Sequence, residues 1–315
     1  MTRTPTSDRF APGARIGDYQ VEREVAYEEA SVVYLATHVV LPRKAYVKVT
    51  HPASRSAAVQ LLREACILEA LDHPGVVRVY ESGLLPDRSP WFAHEWIEGA
   101  TVADVLAGGP LDPPQAAALL RDIADVLEYA HRKGVVHCGL RPDRIIITGR
   151  SRGFPLCVVN WNDARTHDAT APTALPQPSD YAAPELESGD VIDDRADMFA
   201  LGVIAYQALT GQLPFETLAR TADGSFQHVP TEVRCPDAPP ELTGLVDSLL
   251  APDHWDRPSS SEARAELGQL ADDLAPPPPR PSVVRIRKPK WTPNPPLDGP
   301  PPPSAGPADE TEKSS

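Results

Sequence analysis

Strand patterns fill the first hundred residues of this 315-residue chain and helix patterns the remainder, and this segregation limits the fold more than any other feature. Tyr19 to Val21 and Ser31 to Thr37 set apolar and β-branched residues between polar ones, and Lys44 to Val49 reads as a third strand. Ala57 to Leu71 carries Val59, Leu62, Ala65, Ile67 and Leu68 at helical spacing. Val76 to Tyr80 and Trp91 to Trp96 complete a small antiparallel sheet. From Thr101 the period becomes helical, over 116–133, 196–209, 240–250 and 260–274. Strands first and helices after predict an α+β, bilobal fold: a small antiparallel β lobe with one helix, then a large α-helical lobe. No internal repeat interrupts it.

Composition marks the ends of that domain. Residues 1–16 are expected to be a disordered arm, 17–274 the folded domain and 275–315 a Pro-rich disordered tail. Prolines at 276–279, 281, 293, 295, 296 and 300–303 exclude helix and sheet and favour polyproline II. Val283 to Trp291 forms a basic, β-branched island in this tail, read either as a solvated linker or as a short docking peptide. A net charge of −14 argues against nucleic acid as a partner. The four cysteines lack disulfide or metal spacing, Met1 to Ala11 lacks an apolar core, and Met198 to Leu209 is too short to span a bilayer. A cytoplasmic protein without a membrane span is expected.

An ordered set of motifs crosses both lobes. Ala45-Tyr46-Val47-Lys48 lies on the third strand and Leu62-Arg63-Glu64-Ala65 on the first helix. His137-Cys138-Gly139-Leu140-Arg141-Pro142-Asp143-Arg144 follows, then Asn160-Trp161-Asn162, Ala183-Pro184-Glu185, Arg195-Ala196-Asp197, Leu201-Gly202 and Arg257-Pro258. In this order they resemble the protein kinase pattern V-A-I-K, helix glutamate, H-R-D-L-x-x-x-N, D-F-G and A-P-E. Leu71-Asp72-His73-Pro74 and Gly134-Val135-Val136-His137 are most similar to the bacterial, eukaryotic-like Ser/Thr kinases. The resemblance runs over about residues 17–272.

The resemblance assigns a role to each position, and several positions lack the residue the role requires. Gly139 stands where the proton-accepting Asp belongs, and Arg144 and Asn160 where magnesium ligands belong. Asn162 replaces the D-F-G glycine. Ala26, Glu28 and Ser31 fall at the three glycines of the phosphate loop, and Glu28 brings a negative charge toward a negative ligand. Tyr46 stands where a small alanine would roof adenine, and His94 adds a polar lining before Glu95. A one-residue register shift toward Lys44-Ala45 would relieve Tyr46 but displace Lys48. Lys48 and Glu64 persist, either as a vestigial nucleotide contact or as a strut between sheet and helix. Arg144 is expected to contact a phosphate or to pair with Asp143 or Asp163. Those two acids are the only ones close in sequence that could substitute for the missing base, and neither aligns with a catalytic position of the family. Arg141 keeps a positive charge toward the γ-phosphate, while Cys138 replaces the arginine that would bind a phosphorylated activation segment.

Scaffold positions are intact: Glu185 with Arg257 as a buried ion pair, Asp197 beneath the His137 loop, and Leu68, His137 and Trp161 as an internal spine. This contrast leads to the expectation of a catalytically inactive, pseudokinase-type module without enzyme activity, serving as a scaffold or regulator. Neither a catalytic residue nor a metal nor a cofactor is expected, beyond ATP held without magnesium. The expected partner is a protein, such as an active kinase or a phosphopeptide-binding domain reading Thr166, Thr170, Thr173 or Ser179. The alternatives are a divergent Ser/Thr kinase or nucleotidyl transferase of weak activity, or a metal-independent ATP sensor.

Overall fold

Six antiparallel strands build the small lobe: β1 (Arg15–Ile16), β2 (Tyr19–Tyr27), β3 (Ser31–His38), β4 (Lys44–Thr50), β5 (Val79–Leu84) and β6 (Pro90–Glu95), in the spatial order β1-β2-β3-β4-β6-β5. The structure is a computed structural model, and it describes residues 9–28, 30–52, 54–149, 152–166, 179–188, 192–215 and 228–275. By its contacts the chain divides into Met1–Pro276 and Pro277–Ser315. The second unit, and with it the expected tail and its basic island, lies outside the described residues.

Alternation along β4 sorts its side chains between two faces. Ala45, Val47 and Val49 join Ile16, Tyr19, Val21, Tyr34 and Trp91 in a core on one face of the sheet. Tyr46 and Lys48 therefore point to the other face. There α1 (Arg55–Ala70) packs, with Leu61, Leu68 and Phe92 in the main core. Ser54 opens α1 by accepting a hydrogen bond from the backbone N–H of Ala57. The register pairs Tyr46 with His94 and Lys48 with Phe92, so the shift that would have freed the slot does not occur.

The arm expected over residues 1–16 is corrected in its described part. Arg9 pairs with Asp87 at 2.6 Å, Phe10 meets Tyr34 edge-on with centroids 5.6 Å apart, and Arg15–Ile16 is β1. Ile16 is fully buried, and burial of that apolar group holds a segment whose two-residue strand is too short to show a period.

The large lobe is helical: α2 (Val102–Leu106), α3 (Pro113–Arg132), α4 (Pro184–Ser188), α5 (Arg195–Thr210), α6 (Thr231–Arg234), α7 (Pro240–Leu249) and α8 (Ser260–Leu274). Pro113 starts α3 at a position whose N–H has no helical partner, and Ser259 with Glu262 forms a capping box on α8. From Ala196 to Leu209 every residue of α5 except Gln207 is buried, so it is the central helix of the lobe. No helix among the described residues is long and apolar enough to cross a membrane.

Short strands that periodicity did not reveal hold the loops between the lobes. β7 (Ala100–Thr101), β9 (Ile145–Ile147) and β10 (Leu156–Val158) form one ribbon, in the order β10-β9-β7. β8 (Val135–Val136) pairs with β11 (Arg165–Thr166) through Arg165 to Val136. These ribbons bring the turns at 137–144 and 159–164 side by side.

Candidate active site

The scaffold around the cleft follows the sequence closely. The Asp197 carboxylate, on α5, accepts from the backbone N–H groups of His137 at 2.7 Å and Cys138 at 2.8 Å, and lies 2.8 Å from His131 Nε2. These bonds hold Cys138 in the left-handed conformation (φ 58°), which is costly for a residue with a Cβ. The His137 and Trp161 rings lie 4.6 Å apart, with Leu68 buried in the same core. Glu185 receives two bonds from Arg257, at 2.6 and 3.0 Å, in a buried fork-to-fork pair.

In the small lobe Lys48 and Glu64 meet at 2.8 Å, both buried. A second carboxylate also reaches Lys48: Glu28 Oε2 lies 2.9 Å from its ammonium. Burial opposes the charge on Lys48, but Glu64 and Glu28 overcome it, so the ammonium is held above its ordinary range. Burial likewise opposes ionisation of Glu28, yet Lys48, the Ser31 hydroxyl and Arg144 bring its carboxyl below the usual value. The sequence foresaw a charge in the phosphate loop, but not that it would close onto Lys48.

Tyr46 and His94 share the cleft face of the sheet, with ring centroids 5.7 Å apart. Burial, reinforced by the nearby Lys48 ammonium, pushes His94 down to about 4, so it is neutral at neutral pH.

The main rearrangement lies at the turn after β8. A side chain at Gly139 would collide with the Arg144 guanidinium, and its Cβ would come within 2.7 Å of Asp163 Oδ2. The space normally filled from position 139 is therefore occupied by the carboxylate of Asp163 and its partner. Arg144 Nη1 donates to Asp163 Oδ2 at 2.7 Å and to the Gly139 carbonyl at 2.9 Å. Of the two acids considered for Arg144, the structure chooses Asp163. Asp143 instead accepts two bonds from Arg141, at 2.7 and 3.0 Å. Gly139, Arg141, Arg144, Asp163 and Ser179 line one small pocket of about 30 Å³, room for a hydroxyl group or a water molecule.

Asn160 also has a left-handed backbone (φ 61°), and the side-chain oxygens of Asn160 and Asn162 are buried without hydrogen-bond partners. Both are neutral amides. Glu28 and Glu64 are engaged with Lys48, Asp163 is engaged with Arg144, and a guanidinium stands where a second ligand is implied. Among the described residues no group of three or more His, Cys, Asp or Glu side chains is arranged to hold a metal. A magnesium ion, which takes hard anionic oxygens, does not fit these residues in the way the resemblance implies.

Comparison with known proteins agrees with this architecture. The protein kinase domain family matches residues 19–267. Serine/threonine-protein kinase pkn2 of Myxococcus xanthus is 32% identical over 274 residues, 82% of this chain and 32% of that protein. Serine/threonine-protein kinase PknB of Mycolicibacterium smegmatis is 29% identical over 280 residues, 83% of this chain and 44% of that protein. The match thus spans about a third to under half of the length of these two relatives. The crystal structure of the Mycobacterium tuberculosis PknI kinase domain superposes with a TM-score of 0.64 at 25% identity, covering 83% of this chain and 99% of that domain.

These findings correct the expectation of an inactive, non-enzymatic pseudokinase module. The relatives are named as serine/threonine-protein kinases, which are enzymes, and the alternative of a divergent Ser/Thr kinase accords with them. The expectation rested on Gly139, Arg144 and Asn160 together, and the sequence did not show that Asp163, rather than Asp143, lies against Gly139. On the family match, the relatives and the superposition together, the chain belongs to the protein kinase domain family.

Proposed function

We propose that this chain is a divergent serine/threonine protein kinase in which Asp163 takes over the task of the absent base. The observation that carries the reading is the carboxylate of Asp163 beside Gly139, in the lining of a pocket sized for a hydroxyl group. Asp163 Oδ2 is bound to Arg144, which leaves Oδ1 to orient and accept the proton of a Ser or Thr hydroxyl. The hydroxyl oxygen bonds to the terminal phosphorus of a nucleoside triphosphate as the bond to the bridging oxygen breaks, and the nucleoside diphosphate leaves with the electron pair. Arg141 and Arg144 line the same pocket and offer fixed positive charge to the phosphoryl oxygens. Lys48, held by Glu64, supplies a third cation from the small lobe.

The substrate class is a protein with an accessible Ser or Thr. The four cysteines are free, which supports a reducing, cytoplasmic setting. The test is transfer of labelled terminal phosphate from ATP to the chain itself and to a Ser/Thr-rich acceptor such as casein. Slow incorporation, lost in Lys48→Met, is expected. Incorporation no greater than in Lys48→Met contradicts the proposal.

A further inference from the structure

We infer that Glu28 is a built-in occupant of the phosphate position, a carboxylate that nucleotide must displace from Lys48 before it binds. The inference rests on the kinase reading only in taking nucleotide phosphate as the ligand of Lys48.

Glu28, just after β2, is held through its backbone and through one side-chain oxygen. Its backbone N–H donates to the Ser31 carbonyl at 2.8 Å, and its carbonyl lies 2.8 Å from His51 Nε2 on the segment after β4. Its side-chain Oε2 accepts from the Ser31 hydroxyl at 2.8 Å and from Lys48 at 2.9 Å. The Tyr27 and His51 rings lie 4.7 Å apart. The Glu28 carboxylate thus meets a buried ammonium and a hydroxyl at once, with its backbone held on both sides.

Charge counting gives the consequence. Lys48 and Arg144 face Glu28, Glu64 and Asp163 across the cleft, two cations against three carboxylates. The Lys48 ammonium already has a buried partner in Glu64, so Glu28 is a second anion on one cation. A phosphate approaching Lys48 meets the same geometry that Glu28 now satisfies, and meets like charge until Glu28 moves. Its side chain keeps 26% of its exposure against 5% for Glu64, so outward rotation of Glu28 into water is open while Glu64 stays in place. Glu28 therefore sets ligand selectivity, because it opposes the phosphates of a nucleotide and leaves the nucleoside part untouched.

The test is isothermal titration of the full chain and of Glu28→Gln with ATP and with adenosine, each with and without magnesium. Glu28→Gln removes the charge and keeps the size. Expected is a gain in ATP affinity on the order of tenfold, with adenosine changed less than about twofold. Ser31→Ala loosens the carboxylate without removing it, and is expected to move ATP affinity the same way by a smaller factor. Unchanged ATP affinity, an equal gain for adenosine, or no ATP binding by wild type and both variants overturns the inference. The two claims fail separately. A tighter Glu28→Gln complex without phosphotransfer contradicts the kinase reading and leaves the role of Glu28 standing. Phosphotransfer with unaltered ATP affinity does the reverse.

Discussion

The floor of the large lobe and the roof of the cleft use the same kinds of ion pair to different ends. Below, Glu185 and Arg257 form a single buried fork, with the remaining guanidinium hydrogens bonded to the carbonyls of Arg195, Ala251 and Pro252. Each charge there has its partner and its hydrogen bonds, and the pair is closed. Above, Lys48 is shared by two glutamates, and Arg144 is shared by Asp163 and a backbone carbonyl. Lys48 and Glu64 are as buried as the lower pair, but Glu28, Arg144 and Asp163 keep some exposure, so they can exchange partners with a ligand. The difference teaches that substituted motif residues in a cleft are better read as a set than singly.

The comparison breaks most visibly at the floor. Glu185→Ala strands the Arg257 guanidinium in a buried site, and we expect a loss of about 3 to 5 kcal/mol in urea unfolding. A loss below about 1 kcal/mol would mean that the carbonyls alone satisfy the arginine and the floor is no more closed than the roof.

Acid titration sharpens the comparison at the roof. His94 and His137 are both pushed down to about 4, from an ordinary value of 6.5, with burial the main cause in each. The unfolded chain therefore takes up protons that the folded chain refuses as pH falls from 6.5 toward 4. Stability from these groups is complete above that window and declines through it, by about 1.4 kcal/mol per pH unit for each fully engaged histidine. His94→Met should flatten the decline by one histidine's share, measured as melting temperature against pH. An unchanged slope would show that His94 titrates freely in an open cleft.

Gly139→Ala probes the rearranged turn itself. The added methyl meets Arg144 and Asp163, and the expected cost is about 1 to 3 kcal/mol, as for an overfilled site. A neutral Gly139→Ala would mean that the Arg144–Asp163 pair sits loosely. The smallest effect is expected at Tyr46→Ala, which widens the slot beside His94. ATP affinity should rise by about tenfold or less in a calorimetric titration, since only shape changes there and not charge. A fall would show that the Tyr46 ring stacks on the base.

Much of this was legible because the relevant contacts repeat a spacing. Tyr46 and Lys48 lie two apart on a strand, so their shared face follows from alternation, and the register removes the one-residue shift. The partners Glu185–Arg257 and Asp197–His137 were readable from motif order, and the structure pairs them as expected. Asp163 was visible only as one of two acids near the missing base. It aligns with no catalytic position of the family, and although Gly139 was visible, the β8–β11 pairing that sets Asp163 beside it has no local signature. The Glu28–Lys48 contact was half legible: the charge was visible, while the Ser31 and His51 bonds that fold it inward belong to the tertiary structure. The strand at Arg15–Ile16 was too short for any period to betray.

The account turns on Asp163. The most direct measurement is the initial rate of phosphate transfer from ATP by Asp163→Asn beside wild type, with circular dichroism melting as a check on the fold. Asn keeps the shape and loses the proton acceptor, and the account predicts a fall of about 10²-fold or more. A rate equal to wild type, in a variant that still folds, would contradict the claim that Asp163 replaces the missing base.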